Sequence, residues 1–241
     1  REEKRLMKPE SEDELSSGND KKEIIDRNVE PLFNMIFRDL KKETATVFRK
    51  LALFASSFDE KAVAAICGDR EGDHLKRLVS LKFVEHDTIN NRFYIHELIH
   101  KLIKAEVRPS EKILTHRNLA FYYFDILKNA NELYQSDEEA LESALNIFDQ
   151  DWYNIKAGQK WSAQKSSEDA KIGMLCGDYC KEARVLMAMR HPTDECIEWS
   201  ESALTASRES ENIESEKNNL LSLGMQLYSL GQYEKAIEYL E

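Results

Sequence analysis

The sequence predicts a mainly helical chain with a single β-hairpin in its first half and stacked helical pairs at its end. Three observations carry that expectation. Of 241 residues only 8 are Gly and 4 are Pro, so few positions break a helix. Apolar residues recur at three- and four-residue spacing through most of the chain. Two short β-prone runs flank an Asn-containing turn at one place, between residues 83 and 95.

Residues 1–30 read as a linker or the end of a preceding domain, because Glu10 to Lys22 mixes acidic, basic, Ser and Gly residues with few large apolar groups. Periodicity begins at Pro31, a favourable first helical residue, with Leu32, Phe33, Ile36, Phe37 and Leu40 as its stripe. A second stripe holds Val47, Phe48, Leu51, Ala52 and Phe54. Asp59 is placed to cap a short third helix with Ala62, Val63 and Ile66. Gly68 and Gly72 punctuate, and Leu75, Leu78, Val79 and Leu81 mark a fourth helix.

The period then changes from helix to strand. Phe83 to His86 and Arg92 to Ile95 are the β-prone runs, and Asn90 and Asn91 tolerate the left-handed backbone that a turn needs. A helix from about His96 to Val107 should bury Leu98, Leu102 and Ile103 and be stopped by Pro109. Short helices followed by a hairpin are the pattern of a winged helix, so residues 31–108 are expected to form a winged-helix domain with the hairpin as its wing.

Residues 109–170 read as connecting helices, with a stripe at Leu119, Tyr122, Tyr123, Ile126 and Leu127 and a capping box at Ser136 and Glu139. Residues 171–241 read as helical repeats. Asp194 to Trp199 and Glu234 to Tyr239 resemble each other 40 residues apart. The second copy carries a tetratricopeptide pattern: Leu220, Leu223, Gly224 and Leu227 on one helix, a turn at Gly231 and Gln232, then Tyr233, Ala236 and Leu240. In the looser copy over residues 177–207, Arg184 and Cys196 stand where the pattern has small residues. Such helices are expected to stack as a right-handed α-α superhelix, truncated at Glu241. The start at Arg1 rather than Met likewise predicts that the chain belongs to a longer protein.

Composition narrows the function. Net charge is −11, and residues 109–241 account for it with 13 basic against 24 acidic side chains. That half would repel a phosphate backbone, so nucleic acid is not expected as a partner. Residues 31–108 carry 14 basic and 11 acidic groups. No run is apolar enough to span a membrane, and no signal peptide is visible. Cys67, Cys176, Cys180 and Cys196 are too few and too uneven for a disulfide framework, and are read as reduced thiols of a cytoplasmic protein.

His96-Glu97-Leu98-Ile99-His100 matches the zinc-peptidase signature, with His96 and His100 as ligands and Glu97 polarising water. The extension of that motif fails, because positions 103 and 106 hold Ile103 and Glu106. Glu111, His116 and Glu132 are the downstream alternatives for a third ligand. The reading preferred is therefore no metal, with the zinc peptidase as an alternative. Lys76, Arg77 and Lys82 occupy the fourth helix, where a DNA-binding winged helix would carry its readers, although Glu71 and Asp73 dilute them. No phosphate-binding loop and no catalytic triad or dyad stands out, so no catalytic residue and no cofactor is assigned to the chain itself.

Residues 31–105 resemble the winged-helix region of STAND-type signalling NTPases, the NB-ARC or AP-ATPase group. The resemblance lies in Val47 to Phe54, Phe58-Asp59, Leu75 to Val84 and Arg92 to Ile99, followed by Asp151-Trp152-Tyr153-Asn154-Ile155-Lys156-Ala157 and the repeats. It implies an upstream nucleotide-binding domain as partner, with ADP or ATP and Mg bound there, and ATPase activity in the full-length protein only. It further implies that His96 reaches the β-phosphate of ADP and holds the resting state. Relatives with Arg four residues later differ from this chain, which has His100. The repeats would then bind a protein or peptide signal.

Overall fold

The computed structural model describes residues 29–136 and 140–241. Most of them are helical, and the strands form one two-stranded antiparallel sheet. The expected linker lies almost wholly outside the described residues; its last two positions, 29 and 30, are already helical with residues 31–38 (α1, described over 29–38), so Pro31 does not open the helix. Phe33 of α1 is buried and stacks on Phe37, whereas Leu32 is exposed.

Helix α2 (Lys42–Leu51) buries Val47, Phe48 and Leu51, and Phe48 stacks on Phe83. Asp59 caps α3 (Glu60–Ala62), its Oδ1 accepting from the Ala62 N–H at 2.7 Å. The chain continues as a π-helical turn over Val63–Cys67, which Gly68 ends with a left-handed φ of 85°. Helix α4 (Asp73–Ser80) buries Leu75 and Leu78. Lys82 lies beyond α4, in the left-handed region at φ 61°, and so is not on the helix that the sequence reading placed it on.

Strands β1 (Glu85–Asp87) and β2 (Arg92–Tyr94) pair with His86 opposite Phe93. Asp87 closes the turn by accepting from the Ile89 and Asn90 N–H groups, and Asn91 takes φ 51°. On its other side Phe93 exchanges both backbone hydrogen bonds with Phe58, so β2 lies between β1 and the segment before α3. Helix α5 (Glu97–Ala105) follows with Ile103 buried; Leu98 is only half-buried.

Pro109 does not merely stop α5. It is the first residue of α6 (Pro109–Ser136), where its missing N–H costs nothing. Ser136 ends α6 and its hydroxyl donates to the Leu133 carbonyl, while Glu139 of the expected capping box lies outside the described residues. Then come α7 (Leu141–Gln164), α8 (Ala170–Arg190), α9 (Thr193–Glu209), α10 (Ile213–Ser229) and α11 (Tyr233–Leu240). From α6 onward each helix packs on its successor, and α6, α7 and α8 also touch α8, α9 and α10 respectively. Each pair thus covers an apolar face that it could not bury alone. One contiguous core runs from Phe33 to Trp199.

Candidate functional site

Asp151, Trp152, Asn154 and Lys156 project from one stretch of α7 and tie the hairpin region to the helical pairs. Asp151 and Asn154 are three residues apart and share a helix face. Arg92 of β2 is 6% exposed, and its Nη2 donates to Asp151 Oδ1 at 2.5 Å and to the Ser57 carbonyl at 2.6 Å. Asn154 completes the knot. Its Oδ1 accepts from the N–H groups of Ala55 and Ser56 at 2.9 and 3.3 Å, and its Nδ2 donates to the Ser57 carbonyl at 2.9 Å. Burial pushes the Asp151 carboxyl up, with Arg92 opposing that shift.

The other side of the same stretch faces α9. Trp152 stacks on Trp199 and on His191, with ring centroids 5.4 and 3.8 Å apart. Lys156 forms an ion pair with Glu195, whose second oxygen stands 3.1 Å from His191 Nδ1. Six residues of α7 therefore hold the hairpin region with one face and the first repeat-like pair with the other. The sequence pointed to this segment only through resemblance; Arg92 read merely as part of a β-prone run, because its partner lies 59 residues away.

His96 is the exposed N-cap of α5. Its Nδ1 accepts from the Leu98 N–H at 3.4 Å, which places the proton of a neutral ring on Nε2. That outward N–H can donate to an anionic oxygen. His100 stands apart from it and is half-buried. Burial first, then Lys104, holds its pKa below the ordinary value, and burial does the same at His116. Glu111 is committed to Arg49, and Glu132 lies 3.7 Å from Lys128. Among the described residues no three His, Cys, Asp or Glu side chains gather as a metal site. Lys76 and Arg77 are exposed on α4, with Lys76 Nζ donating to the Glu71 carbonyl at 3.2 Å.

The repeat positions come together across α10 and α11. Leu223, Gly224, Leu227 and Ala236 are buried, and a Cβ on Gly224 would fall 2.5 Å from Leu240 Cγ. Tyr233 does not join the core: it is 58% exposed and meets Tyr228 edge-on. Leu240, although half exposed, lies over Gly224. Two hollows flank α10. One of about 410 Å³ is lined by Arg184, Met187, Cys196, Trp199, Met225 and Gln226, and the Gln226 Oε1 there is buried without a partner among the described residues. The other, of about 470 Å³, runs between α8 and α10 past Asp178, Lys181, Arg184 and Asn219. The first has mainly apolar walls with a few polar groups, which suit an apolar side chain, whereas the second is lined mostly by polar and charged groups.

No protein-family model matches the sequence, and no curated protein does. Among solved structures the chain is similar to a STAND protein with a tetratricopeptide repeat sensor from Pyrococcus horikoshii. Identity is 12% and the TM-score 0.32, over 87% of this chain and 45% of that one. So distant a likeness carries no argument here. The chain spans less than half the length of that protein.

Proposed function

We propose that this chain is the regulatory and sensor segment of a nucleotide-gated STAND-type signalling ATPase. In this reading residues 31–108 form the winged helix that holds the ADP-bound resting state against an upstream nucleotide-binding domain. The helical pairs bind a protein or peptide signal in the hollows beside α10. The chain itself catalyses nothing and works in the cytoplasm; nucleotide and Mg belong to the upstream domain. No helix among the described residues is long and apolar enough to cross a membrane.

The observation that supports this reading best is the buried knot of Arg92, Asp151 and Asn154 with the backbone of Ala55, Ser56 and Ser57. A sensor arm can bias a distant equilibrium only through an element that transmits its position. The knot joins the strand leading to His96 with the helix that packs on the repeats. His96, with Nε2–H turned outward, supplies a donor suited to a phosphate oxygen.

The test is ADP release from the longer protein that contains this chain. His96→Ala is expected to release ADP at least about tenfold faster, the loss of one charge-assisted hydrogen bond. Release at the wild-type rate would overturn the role of His96. A coding sequence without a phosphate-binding loop upstream of Arg1 would overturn the whole reading.

A further inference from the structure

A cavity of about 350 Å³ opens where α1, the start of α2 and the junction of α5 with α6 meet. Four cations line it, Arg38, Lys42, Arg49 and Arg108, against the single carboxylate of Glu106. This hollow is remote from the repeats and does not include His96.

The charge of Arg49 is already neutralised. The residue is 6% exposed, its Nε donates to Glu111 Oε2 at 2.7 Å, and its Nη2 donates to Glu111 Oε1 at 2.8 Å and to Thr46 Oγ1 at 3.0 Å. Glu111 lies in the first turn of α6, close to Arg108. The Arg49 bond first, then proximity to Arg49 and Arg108, holds the Glu111 carboxyl below its ordinary value despite some burial. The pair is a fixed floor for the cavity.

Arg38, Lys42 and Arg108 remain above that floor, each exposed, and Glu106 offsets only one of them. Among the described residues that line the cavity, two positive charges are left over. Among the described residues no carboxylate lies within ion-pair distance of the three. Helix α2, ten residues long, also begins here: its N-cap Lys41 makes no side-chain cap, and its positive end adds to the field, opposed by Glu43 of the same turn, which does not line the hollow. Two guanidinium groups from different elements, an ammonium and a helix start surround one hollow. That set matches a dianion with acceptor oxygens on several sides better than a flat monoanionic carboxylate.

We propose that this cavity binds a small phosphate-bearing anion, held by Arg38, Lys42 and Arg108 over the buried Arg49–Glu111 pair. The site goes beyond the proposed nucleotide switch and stands whether or not that reading holds, because neither His96 nor the knot of Arg92, Asp151 and Asn154 belongs to it.

Isothermal titration calorimetry on the full chain at low salt tests it, with inorganic phosphate, pyrophosphate and glutamate as probes. One saturable site is expected for both phosphates, tighter for pyrophosphate, with glutamate much weaker. Lys42→Gln, Arg38→Gln and Arg108→Gln should each weaken pyrophosphate binding about tenfold, the loss of one charge-assisted contact. These side chains are exposed, so the fold should survive their neutralisation. Lys217→Gln with Lys235→Gln, which removes two charges from exposed positions on α10 and α11, should leave binding within about twofold. Absence of saturable heat would overturn the proposal, as would equal weakening by the remote pair or glutamate binding as tightly as phosphate.

Discussion

Asn154 and Ser57, 97 residues apart in sequence, are joined by a hydrogen bond from the Asn154 carboxamide to the Ser57 carbonyl at 2.9 Å. The same carbonyl accepts from Arg92, which also holds Asp151. Arg92, Asp151 and Asn154 thereby each find a partner on a different element. Removing one member leaves the others desolvated and unpaired, which is costlier than the bonds themselves. Asp151→Ala is expected to lower unfolding free energy by about 3 kcal/mol, the cost of stranding a buried cation. Urea denaturation measures it. A loss below about 1 kcal/mol would show that Arg92 is satisfied by Ser57 alone.

Glycine substitutions should separate two positions that look alike in sequence. A Cβ on Gly158 would stand 2.3 Å from the Tyr179 hydroxyl, and Tyr179 is fully buried with its hydroxyl donating to the Ala120 carbonyl at 2.6 Å. Neither the ring nor the Ala120 backbone has room to move. Gly158→Ala should therefore cost about 3 kcal/mol, combining overpacking with a lost hydrogen bond. At Gly224 the obstacle is the half-exposed Leu240 side chain, which can swing aside, and alanine recovers about 1 kcal/mol of helix propensity. Gly224→Ala should shift the thermal midpoint little. A larger effect at Gly224 than at Gly158 would contradict this packing.

Two partly buried histidines set an acid-side dependence. His100 and His116 both have pKa values held below the ordinary 6.5, chiefly by burial. The unfolded chain thus binds more protons than the folded one in this range. Their contribution is present above 6.5 and is lost as pH falls through 6.5 towards the lowered folded values. Asp151, raised by burial, works in the opposite sense by gaining as it protonates. The comparison that isolates the histidines is urea stability at pH 7.5 and 5.5 for wild type and for His100→Gln with His116→Gln. Wild type should lose more stability on acidification than the variant; equal losses would refute the assignment.

Thiol chemistry should be silent in the native protein. Burial pushes Cys67 and Cys176 up to about 12, and raises Cys180 and Cys196 as well. A thiol so raised holds almost no thiolate at neutral pH. Iodoacetamide at pH 7.5, followed by intact mass, should label none of Cys67, Cys176 and Cys180 within a time that labels all of them in urea. Rapid native labelling of Cys67 would show that its site opens.

Local signals in the sequence carried much of the fold. The stripe of Val47, Phe48 and Leu51 fixes which face of α2 is buried, because periodicity alone encodes that choice. Asp59 three residues before the Ala62 N–H, and Asn91 in a left-handed turn, act on their immediate neighbours and need no tertiary context. Pro109 was harder, since the same residue can follow one helix or open the next, and only the path of the chain into α6 decides between them. Leu32 and Tyr233 fit their apolar patterns yet stay exposed, because burial depends on whether another element arrives to cover them.

The amino-acid sequence by itself determined the order of helices, the place of the hairpin and the paired character of the final helices. Each follows from residues within a few positions of one another. Tertiary structure alone decided that Arg92 meets Asp151, that Asn154 binds the Ser57 backbone, and that Arg38, Lys42 and Arg108 share one cavity. Those partners are set by how elements pack, and a charged or amide side chain shows nothing in its local pattern of which distant group will satisfy it.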